Sequence, residues 1–599
     1  MRRKSLVVRE PLSHNSGVEY ENRPWTKIAG AVFFIAICVL YFVRLPTTVQ
    51  FGDTAELVMA AVHRLVAHPP GYPLWVWLQE LVIEVIPFST EYWRAAFMNS
   101  VFAIAAYVLL WIHLRKGPVA FGIVAALAFS RVMWRYSLLP DVFSLNVLFM
   151  AIIFTLHFRA HRREWHAPAL VFVFCLAFSH HLTIVFLTPM VWHVMWLERR
   201  RKAIWIALGA GSFASALLYL SLQLRNPEHL FSWGEVSSFE AVVNHFLRRD
   251  YGTFQLVGTN EEGSLLVNFG ALGRTLAENF WGLGLVFAVI VIALRKKAKK
   301  TFDARDGFAA LSLVLYAIVF LGLSNTPLDG YRIEVIERFF LFVEVGLCFL
   351  LGWFMVRLLE GEKPIMPWVA SGVLIVAASV SFVRYQAYND YSSNHLIDEY
   401  LRNFFAEAPT NKKIVLITAT DTRYFGARYA QAVLGVRPDV IVTSPKALIF
   451  QWAAKKFVRE SGLRFDWDRV SRLNHIDLTG DLVMPNLDAA HFLTLYPLTE
   501  QTKYKITLLP IGRWIEKGTG SGLMEATVPF PLTEEKVAAI DFPFDRYDVY
   551  RDLTMDYLNY QLSYAKIVAE HGQLERALQA ITSFRRILPY SLPVCVRAA

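Results

Sequence analysis

The sequence carries little charge and almost no cysteine for its length. Only 18% of its 599 residues are charged and 55% are hydrophobic, whereas an ordinary soluble protein has about 25% charged residues. This composition excludes a disordered chain and a typical soluble enzyme. Four cysteines, of which Cys38, Cys175 and Cys348 lie inside apolar runs, cannot form a disulfide framework. The apolar residues are concentrated in runs, so the sequence predicts a polytopic α-helical membrane protein.

Eleven apolar runs are predicted to be membrane spans, because a helix needs about 20 mostly apolar residues to cross a bilayer. The runs are 27–43, 95–113, 118–133, 142–158, 167–179, 182–197, 203–223, 276–294, 307–323, 339–357 and 366–383. The first run has no small-residue cleavage signature. We therefore interpret it as a retained span and not as a cleaved signal peptide.

The basic residues predict the orientation, because loops rich in Lys and Arg stay preferentially on the cytoplasmic side. With the N-terminus inside, the inner segments hold 23 Lys and Arg in 65 positions, and the outer loops hold 11 in 134. The net charge of +10 is thus a topology signal, and we expect no nucleic-acid partner. The odd number of predicted spans places the C-terminal region outside.

A change of composition after residue 383 predicts the domain organisation. The predicted units are a basic cytoplasmic N-terminus (1–26), a transmembrane domain (27–383) with a first outer loop (44–94), an extracytoplasmic α/β domain (384–550) and a C-terminal helical hairpin like a single TPR repeat (551–599). Within the α/β domain, residues 413–443 are typical of a strand–helix–strand unit, and 505–516 of a strand pair.

The first outer loop contains the densest candidate chemistry. Asp53 and Glu56 are three residues apart and share one face of a predicted helix. They are interpreted either as a capping box at the helix start or as acids that face a cavity. The run His68-Pro69-Pro70-Gly71-Tyr72-Pro73 has a stiff backbone, and residues 74–88 after it are typical of an interfacial helix with Trp anchors.

Other ionisable residues cluster on the same predicted side of the membrane, where charged groups often mark a functional site. They are Arg131, Arg135, Asp141, His180, His181, Arg248, Arg249, Asp250, Arg332, Glu334, Glu337 and Arg338. An arginine above the bilayer is more often a solvated or lipid-phosphate contact. Adjacent histidines on a helix point about 100° apart and make poor joint metal ligands, so no metal site is predicted. Residues 418–421 are no Gly-rich phosphate loop, so we expect no nucleotide site.

Several motifs resemble a large set of bacterial multi-spanning proteins long catalogued as a domain of unknown function. That set is related to a eukaryotic transmembrane protein O-mannosyltransferase and is similar to the GT-C membrane glycosyltransferases. The motifs are Asp53-x-x-Glu56, His68-Pro69-Pro70-Gly71-Tyr72-Pro73-Leu74, Trp134 with Asp141 and Asn146, His180-His181-Leu182, Tyr219–Arg225 with Pro227 and Trp233, and Arg248-Arg249-Asp250-Tyr251-Gly252.

The resemblance is strong over about residues 25–260 and weaker through Glu337-Arg338-Phe339 and 437–440. Two departures stand out. Relatives usually carry Asp-Ser-Gly-Glu where this chain has Asp53-Thr54-Ala55-Glu56, and they tend to have Glu where this chain has Asp141. Both acids of the first motif are kept, and the second position keeps its charge with one methylene less.

The resemblance implies an inverting membrane glycosyltransferase with a GT-C-like fold, located as a multi-pass protein in a bacterial inner membrane. It would move a sugar, with mannose suggested, from a polyprenyl-phosphate donor to an acceptor hydroxyl on the extracytoplasmic side. Its partners are membrane lipid, the lipid-linked donor and an acceptor that is a protein, a glycan or a lipid. No cofactor is expected besides the lipid-linked sugar as donor substrate.

The implied catalytic residues are Asp53 as general base, with Glu56 or Asp141 orienting the acceptor or stabilising the developing charge. The residues expected to contact substrate are His68, Pro69, Pro70, Gly71, Tyr72, Arg64, His180, His181, Arg249 and Arg338. Arg338 is the first candidate for the donor phosphate, followed by Arg64 and His68.

Two other classes of protein remain open on the residues alone. One is a transporter or flippase of a lipid-linked or anionic substrate, although the hydropathy shows no inverted repeat and no matching pair of broken spans. The other is a non-catalytic membrane scaffold whose external domain binds peptide or glycan.

Overall fold

The computed structural model describes residues 24–253, 264–324, 332–406, 413–418, 421–473, 476–486, 489–494, 513–515, 557 and 574–587. Helices fill the predicted transmembrane region, and each of the eleven apolar runs overlaps helical structure. The α-helices of this region are Pro24–Phe42, Thr54–Val62, Pro73–Val85, Glu91–His113, Pro118–Ala128, Arg131–Leu138, Phe143–Phe158, His166–Ala177, Thr188–Glu198, Lys202–Leu220, Phe239–Phe246, Leu265–Ala293, Arg295–Thr301, Ala304–Leu315, Leu321–Ser324, Arg332–Leu359 and Ile365–Tyr385. Short 3₁₀ segments (Leu182–Leu187, Ser221–Leu224, Arg249–Tyr251) and one π segment (Tyr316–Phe320) join them.

Not every one of these helices has the length of a membrane span. Within the described residues, five are long and apolar enough to cross a bilayer, or six if one bent pair is a single span. The five are Glu91–His113, Lys202–Leu224, Leu265–Ala293, Val335–Leu359 and Ile365–Tyr385. Four shorter apolar helices (Thr26–Phe42, Phe143–Phe158, His166–Ala177 and Leu182–Glu198) accompany them. The chain is therefore a multi-pass membrane protein, while the count of eleven stays a prediction.

The apolar surface of the helices agrees with a lipid environment. On the first helix, Ile28, Val32, Ile35 and Val39 are 56% to 66% exposed and recur at helical spacing on one side. By contrast, 78% of the apolar window of Val335–Leu359 is buried inside the protein. That helix is therefore the central one, and the others pack around it.

The run 118–133, predicted as one span, is two helices bent by 69°. The break has a local cause: the Ser130 hydroxyl accepts a hydrogen bond from the Met133 amide and caps a new helix. The second helix, Arg131–Leu138, turns its arginines into the protein instead of continuing through the bilayer.

Two ion pairs on the central helix mark its opposite ends. Arg338 pairs with Asp53 near the start of the helix, and Arg357 pairs with Asp303 at 2.9 Å near its end. Nineteen residues of α-helix span roughly 28 Å, close to the ~30 Å thickness of the hydrocarbon core. The loops predicted to be outer and those predicted to be inner thus gather at opposite ends of the molecule.

The C-terminal part contains a mixed sheet. Its strands are β1 (Ile414–Ile417), β2 (Ile441–Thr443), β3 (His491–Thr494) and β4 (Arg513–Ile515), in the order β2-β1-β3-β4. β1 is parallel to β2 and β3, and β3 is antiparallel to β4. The helix Asp421–Ala432 joins β1 to β2, so the strand–helix–strand unit stands where 413–443 predicts it. The other helical segments here are Leu396–Ala406, Pro445–Leu448, Gln451–Ser461, Trp467–Leu473, Leu478–Val483, Met484–Asn486 and Leu574–Ile587.

The strand β1 connects two cores because its side chains alternate between the faces of the sheet. Val415 and Ile417 pack into a local core with Phe457. Ile414 and Leu416 instead join the large core that continues into the membrane helices. Of the predicted strand pair 505–516 only β4 lies within the described residues. Most of the predicted C-terminal hairpin, and the N-terminus to residue 23, lie outside them.

The orientation can be tested with single cysteines placed at the two ends of the molecule in a background without the native ones. Glu240→Cys lies on the exposed surface at the Asp53 end, and Lys299→Cys on the exposed surface at the other. We expect a membrane-impermeant maleimide to label the first in intact cells, and the second only after permeabilisation. The reverse labelling pattern would refute the predicted orientation.

Candidate active site

One arginine joins the two carboxylates at the centre of the candidate site. The Nη1 atom of Arg338 lies 2.8 Å from Asp53 Oδ2 and 3.6 Å from Asp141 Oδ2. All three side chains are largely buried, with exposed fractions of 17%, 17% and 4% for Arg338, Asp53 and Asp141. The central helix provides Arg338, the first predicted outer loop provides Asp53, and the turn before Phe143–Phe158 provides Asp141. Residues far apart in the sequence therefore form one charged group.

The capping interpretation of Asp53 and Glu56 is wrong. Asp53 occupies the N-cap position of Thr54–Val62, but its side chain makes no capping hydrogen bond and binds Arg338 instead. A carboxylate gains more from a guanidinium in a buried site than from one amide N–H. The Thr54 hydroxyl donates to the Phe51 carbonyl at 2.9 Å and helps to hold the turn that aims Asp53.

Glu56 is fully engaged with His68. One Glu56 oxygen accepts from the His68 main-chain amide at 2.8 Å, and the other accepts from Nδ1 of the His68 ring at 2.8 Å. Both residues are buried or half-buried. The carboxylate therefore sets the orientation of the imidazole, and the Nε2 atom of His68 is left facing the Tyr72 hydroxyl at 3.4 Å.

The proline-rich run folds into a buried wall beside His68. Pro69, Pro70 and Tyr72 are buried, and Gly71 has a φ of +91°. A Cβ at Gly71 would lie 2.9 Å from the ring of His245, which itself donates to the Ala67 carbonyl at 2.9 Å. Only glycine fits this close approach and this backbone conformation.

His180 and His181 pack against this wall and do not form a joint ligand pair. The His180 Nε2 atom donates to the Val142 carbonyl at 2.8 Å, next to Asp141. The His181 ring stacks on Tyr72 with centroids 5.9 Å apart, and its Nδ1 accepts from the Thr183 amide at 3.3 Å. Among the residues that the structure describes, no group of three or more His, Cys, Asp and Glu is placed to hold a metal ion.

A narrow crevice runs from Arg338 between apolar and aromatic side chains of the membrane helices. It is lined by Phe143, Asn146, Thr183, Tyr316, Phe339 and Phe342. The Arg338 guanidinium lies 5.5 Å from the centroid of the Phe143 ring and 5.7 Å from that of Phe339. The cation therefore lies between aromatic rings on one side and the two acids on the other.

A second buried ion network lies directly behind Arg338. The two carboxylate oxygens of Glu337 bind Arg131 at 2.7 Å and Arg135 at 2.8 Å, and Glu337 is 1% exposed. Glu337 is thus saturated by these partners. The acids left to face Arg338 are Asp53 and Asp141.

Two of the predicted substrate-binding arginines do not converge on this centre. Arg64 forms ion pairs with Glu80 at 2.7 Å and Glu84 at 3.0 Å, and its side chain is 64% exposed. Arg249 is exposed on the surface. The structure brings together Asp53, Glu56, Asp141, His68, Tyr72, His180, His181 and Arg338 from the predicted set.

The neighbouring Arg248 faces the site, although the sequence analysis names Arg249 as the residue that contacts substrate. It lies close enough to Asp53 and Tyr72 to act on them electrostatically, and its guanidinium is 5.3 Å from the Tyr251 ring centroid. Its Nε atom is buried without a hydrogen-bond partner within the described part of the chain. Arg248 has a φ of +54°, a left-handed conformation that is uncommon for arginine. No pattern in the sequence predicts this conformation.

Burial and neighbouring charges shift the pKa values of Asp53 and Asp141 in opposite directions. Burial alone would raise the pKa of Asp53, but Arg338, His68 and Arg248 outweigh it and lower the pKa of this carboxyl. For Asp141, burial dominates, the negative charge of Asp53 adds to it, and the pKa is raised to about 6. Burial opposes protonation of His68, but Glu56 and Asp53 together raise its pKa. At neutral pH the site thus keeps Asp53 ionised.

The C-terminal domain closes over the loop that carries Asp53. The Gly52 amide donates to the Thr422 hydroxyl at 3.0 Å, and His63 donates to the Ala432 carbonyl at 2.9 Å. Thr422 and Ala432 are the two ends of one helix, so the helix lies along Thr54–Val62. The site is therefore built between the membrane helices and the α/β domain.

Comparison with known proteins identifies relatives. Residues 53–204 match the family described as the protein O-mannosyl-transferase TMEM260 N-terminal domain. The chain is 28% identical to Protein O-mannosyl-transferase TMEM260 of Mus musculus over 522 residues, which cover 82% of this chain and 72% of the mouse protein. It is 24% identical to Protein O-mannosyl-transferase tmem260 of Dictyostelium discoideum over 491 residues, which cover 70% of this chain and 57% of that protein. The chain is homologous to these proteins, as the motifs around Asp53 and His68 imply.

Solved structures also resemble the chain. ArnT from Cupriavidus metallidurans, bound to undecaprenyl phosphate, matches with a TM-score of 0.44 and 13% sequence identity, covering 70% of this chain and 90% of that chain. The same protein in the apo state matches with a TM-score of 0.42.

The raised pKa of Asp141 predicts a pH-dependent stability. A carboxyl whose pKa is higher in the folded than in the unfolded protein costs stability as the pH rises toward its folded value. The penalty is absent below the pKa of an unfolded Asp and builds up between that value and the folded one, and Asp141→Asn removes it, so we expect the variant to melt at the same temperature as the wild type at pH 3 and at a higher temperature at pH 8. The difference at pH 8 should be on the order of 3 kcal/mol. Thermal unfolding in detergent measures the difference between the variant and the wild type. Equal melting temperatures at pH 8 would show that ionisation of Asp141 does not destabilise the folded protein.

Proposed function

We propose that this chain is an inverting membrane glycosyltransferase of the GT-C type. It moves a sugar from a polyprenyl-phosphate donor to an acceptor hydroxyl on the extracytoplasmic side. The observation that carries the proposal is the buried group of Asp53, Arg338 and Asp141 at the end of the membrane helices. The names of the mouse and Dictyostelium relatives, both protein O-mannosyl-transferases, favour mannose as the sugar and a protein hydroxyl as the acceptor.

Asp53 is the proposed general base. It is ionised at neutral pH, it is partly accessible, and it comes from a loop that Thr54 and Arg338 hold in place. In a single displacement Asp53 takes the proton of the acceptor hydroxyl while the oxygen attacks the anomeric carbon. The bond from that carbon to the phosphate oxygen breaks, its electron pair leaves with the lipid phosphate, and the configuration inverts.

The ion pair with Arg338 makes Asp53 a weak base until the donor arrives. A phosphate that binds Arg338 shares its positive charge, so the guanidinium stabilises the Asp53 carboxylate less. The pKa of Asp53 then rises toward the range in which a carboxylate accepts a proton effectively. Donor binding thereby activates the base.

The leaving phosphate needs positive charge around it. Arg338 provides part of that charge, but two acids already offset it. Arg248 has no acidic partner among the described residues and faces Tyr72 from the opposite loop. We therefore include Arg248 in place of Arg249 and Arg64 as a phosphate ligand.

His68 has a role that follows from Glu56. The Glu56 carboxylate raises the pKa of the imidazole and points its Nε2 atom toward Tyr72, which faces the same centre. A protonated His68 adds positive charge and donates a hydrogen bond to a substrate oxygen. Glu56 acts through His68, while Asp141 stabilises the position of Arg338.

Replacing Asp53 by Asn tests the base. Asp53→Asn keeps the size of the side chain and removes the proton acceptor, so sugar transfer should fall by roughly 10²- to 10⁴-fold. The measurement uses purified protein in proteoliposomes with a radiolabelled polyprenyl-phosphate sugar and an acceptor. The matched control is Glu240→Gln, which changes an exposed acid on the helix Phe239–Phe246 and should retain full activity.

The same assay separates the proposed enzyme from the other classes. Transfer of label to an acceptor supports a glycosyltransferase. Uptake of label into the vesicles without transfer identifies a transporter or flippase, and the absence of both transfer and uptake leaves the non-catalytic scaffold. Substantial transfer by folded Asp53→Asn protein would remove Asp53 from the role of base.

The pair Arg248→Ala and Arg249→Ala tests the assignment of the phosphate ligand. A hydrogen bond to a charged group contributes about 1.5–3 kcal/mol, so Arg248→Ala should weaken binding of polyprenyl phosphate by about 10- to 100-fold. Arg249→Ala removes the same charge from the adjacent, exposed position and should change binding little. The affinity for polyprenyl phosphate is measured by its competition with the labelled donor. Equal losses of affinity in both variants would contradict the assignment of Arg248.

A further inference from the structure

A lysine of the α/β domain is buried in a cage of main-chain oxygens from another part of the chain. Lys456 is 2% exposed and lies on the helix Gln451–Ser461. Its Nζ atom donates to the carbonyl oxygens of Pro227, His229, Ser232 and Gly234 at 2.6, 3.2, 2.8 and 3.1 Å. Three N–H groups are thus shared among four oxygens. A buried ammonium is costly unless it is well satisfied, so these carbonyls must stay in place around it.

The segment 227–234 is hydrogen-bonded to the first predicted outer loop, which carries Asp53 and His68. The Val66 amide donates to the Ser232 hydroxyl at 3.0 Å, and the Trp233 amide donates to the Val66 carbonyl at 2.9 Å. Just before the segment, the Asn226 amide donates to the Arg64 carbonyl at 2.9 Å. Val66 is two residues before His68, so the position of the segment determines where the proline-rich run begins.

The segment also contacts the groups that face the reaction centre. The Trp233 ring lies edge-on to the His68 ring with centroids 6.2 Å apart. The Trp233 indole N–H donates to Asp250 Oδ2 at 3.2 Å, and Asp250 belongs to the short turn that follows Arg248. One tryptophan therefore supports His68 on one side and the Arg248 turn on the other.

Lys456 differs from Arg459, a cation of the same helix that binds this segment in an exposed ion pair. Arg459 pairs with Glu228 at 2.9 Å, but these side chains are 53% and 72% exposed, and an exposed pair contributes about 0–1 kcal/mol. Lys456 is buried and holds main-chain atoms on both sides of Trp233. Arg428 also donates to the Leu230 carbonyl at 3.5 Å, but Lys456 binds four of the segment's carbonyls and is the α/β-domain residue with the most hydrogen bonds to it among the described residues.

We infer that Lys456 is a positioning residue: through the segment 227–234 it holds His68 and Arg248 at the Asp53 centre, which makes the α/β domain a working part of the catalytic site. The inference rests on the proposed function for its activity readout. It goes beyond that function because it assigns the α/β domain a task in organising the site, whatever the domain does with the acceptor.

The test compares Lys456→Met with Lys455→Met in the full-length protein. Lys455 is the neighbouring residue on the exposed side of the same helix, so the two variants lose the same charge and gain the same side chain. A displacement of about 1 Å at a catalytic group costs on the order of 10²-fold in rate. We expect kcat for sugar transfer to fall by about that factor in Lys456→Met and to stay unchanged in Lys455→Met.

Hydrogen exchange distinguishes positioning from a general loss of folding. In Lys456→Met, amide exchange should rise in peptides covering 64–72 and 226–236, and it should stay unchanged in β1. Faster exchange throughout the α/β domain would mean that Lys456 serves only folding and would overturn the inference. Unchanged exchange at 64–72 would overturn it as well.

Ser232→Ala provides a second variant that leaves the lysine cage intact. It removes the hydrogen bond from the Val66 amide without touching the carbonyls around Lys456. We expect Ser232→Ala to show part of the loss in kcat and part of the faster amide exchange at 64–72 that Lys456→Met shows. Full activity of Ser232→Ala would contradict the inference. If the wild type transfers no sugar, the proposed function fails, while the exchange data still decide whether Lys456 holds the active-site loop.

Discussion

The candidate site depends on one requirement: the guanidinium of Arg338, near the start of the central membrane helix, must be neutralised where water is scarce. Asp53 and Asp141 do this from two different parts of the chain. A buried charge without a partner costs several kcal/mol, so the first predicted outer loop and the turn before Phe143 are both drawn onto the start of the central helix. The position of Asp53, and with it the proposed chemistry, follows from that pairing.

The same requirement explains how the surrounding charges are arranged. Glu337 is taken up by Arg131 and Arg135, and Lys456 is satisfied by four main-chain carbonyls. Arg248 stands apart, because its guanidinium faces the centre with a buried Nε atom that has no partner within the described residues. This open cation beside the two acids is the feature on which the proposed phosphate site depends.

Some of the site was predictable because its signals are local. The acids Asp53 and Glu56, the stiff run from His68 to Pro73 and the paired histidines stand close together in the sequence, and the resemblance supports the same residues. The capping interpretation failed because Asp53 had two possible partners, the helix amides and a distant cation. The prediction that Arg249 contacts substrate met a similar difficulty. Arg249 is exposed, whereas Arg248 faces the site. Adjacent residues in a tight turn point in different directions, and composition does not tell them apart.

The sequence by itself determined that the chain is a multi-pass membrane protein, which segments are apolar, where the α/β unit begins, and which loop carries the candidate acids. These properties depend on hydrophobicity and on neighbours along the chain. Only the tertiary structure decided that Arg338 lies between Asp53 and Asp141, that Glu56 is committed to His68, and that Lys456 clamps a segment more than 200 residues earlier. These contacts form because a charged group that is buried on folding needs a partner nearby in space. No local sequence pattern specifies which distant residue becomes that partner.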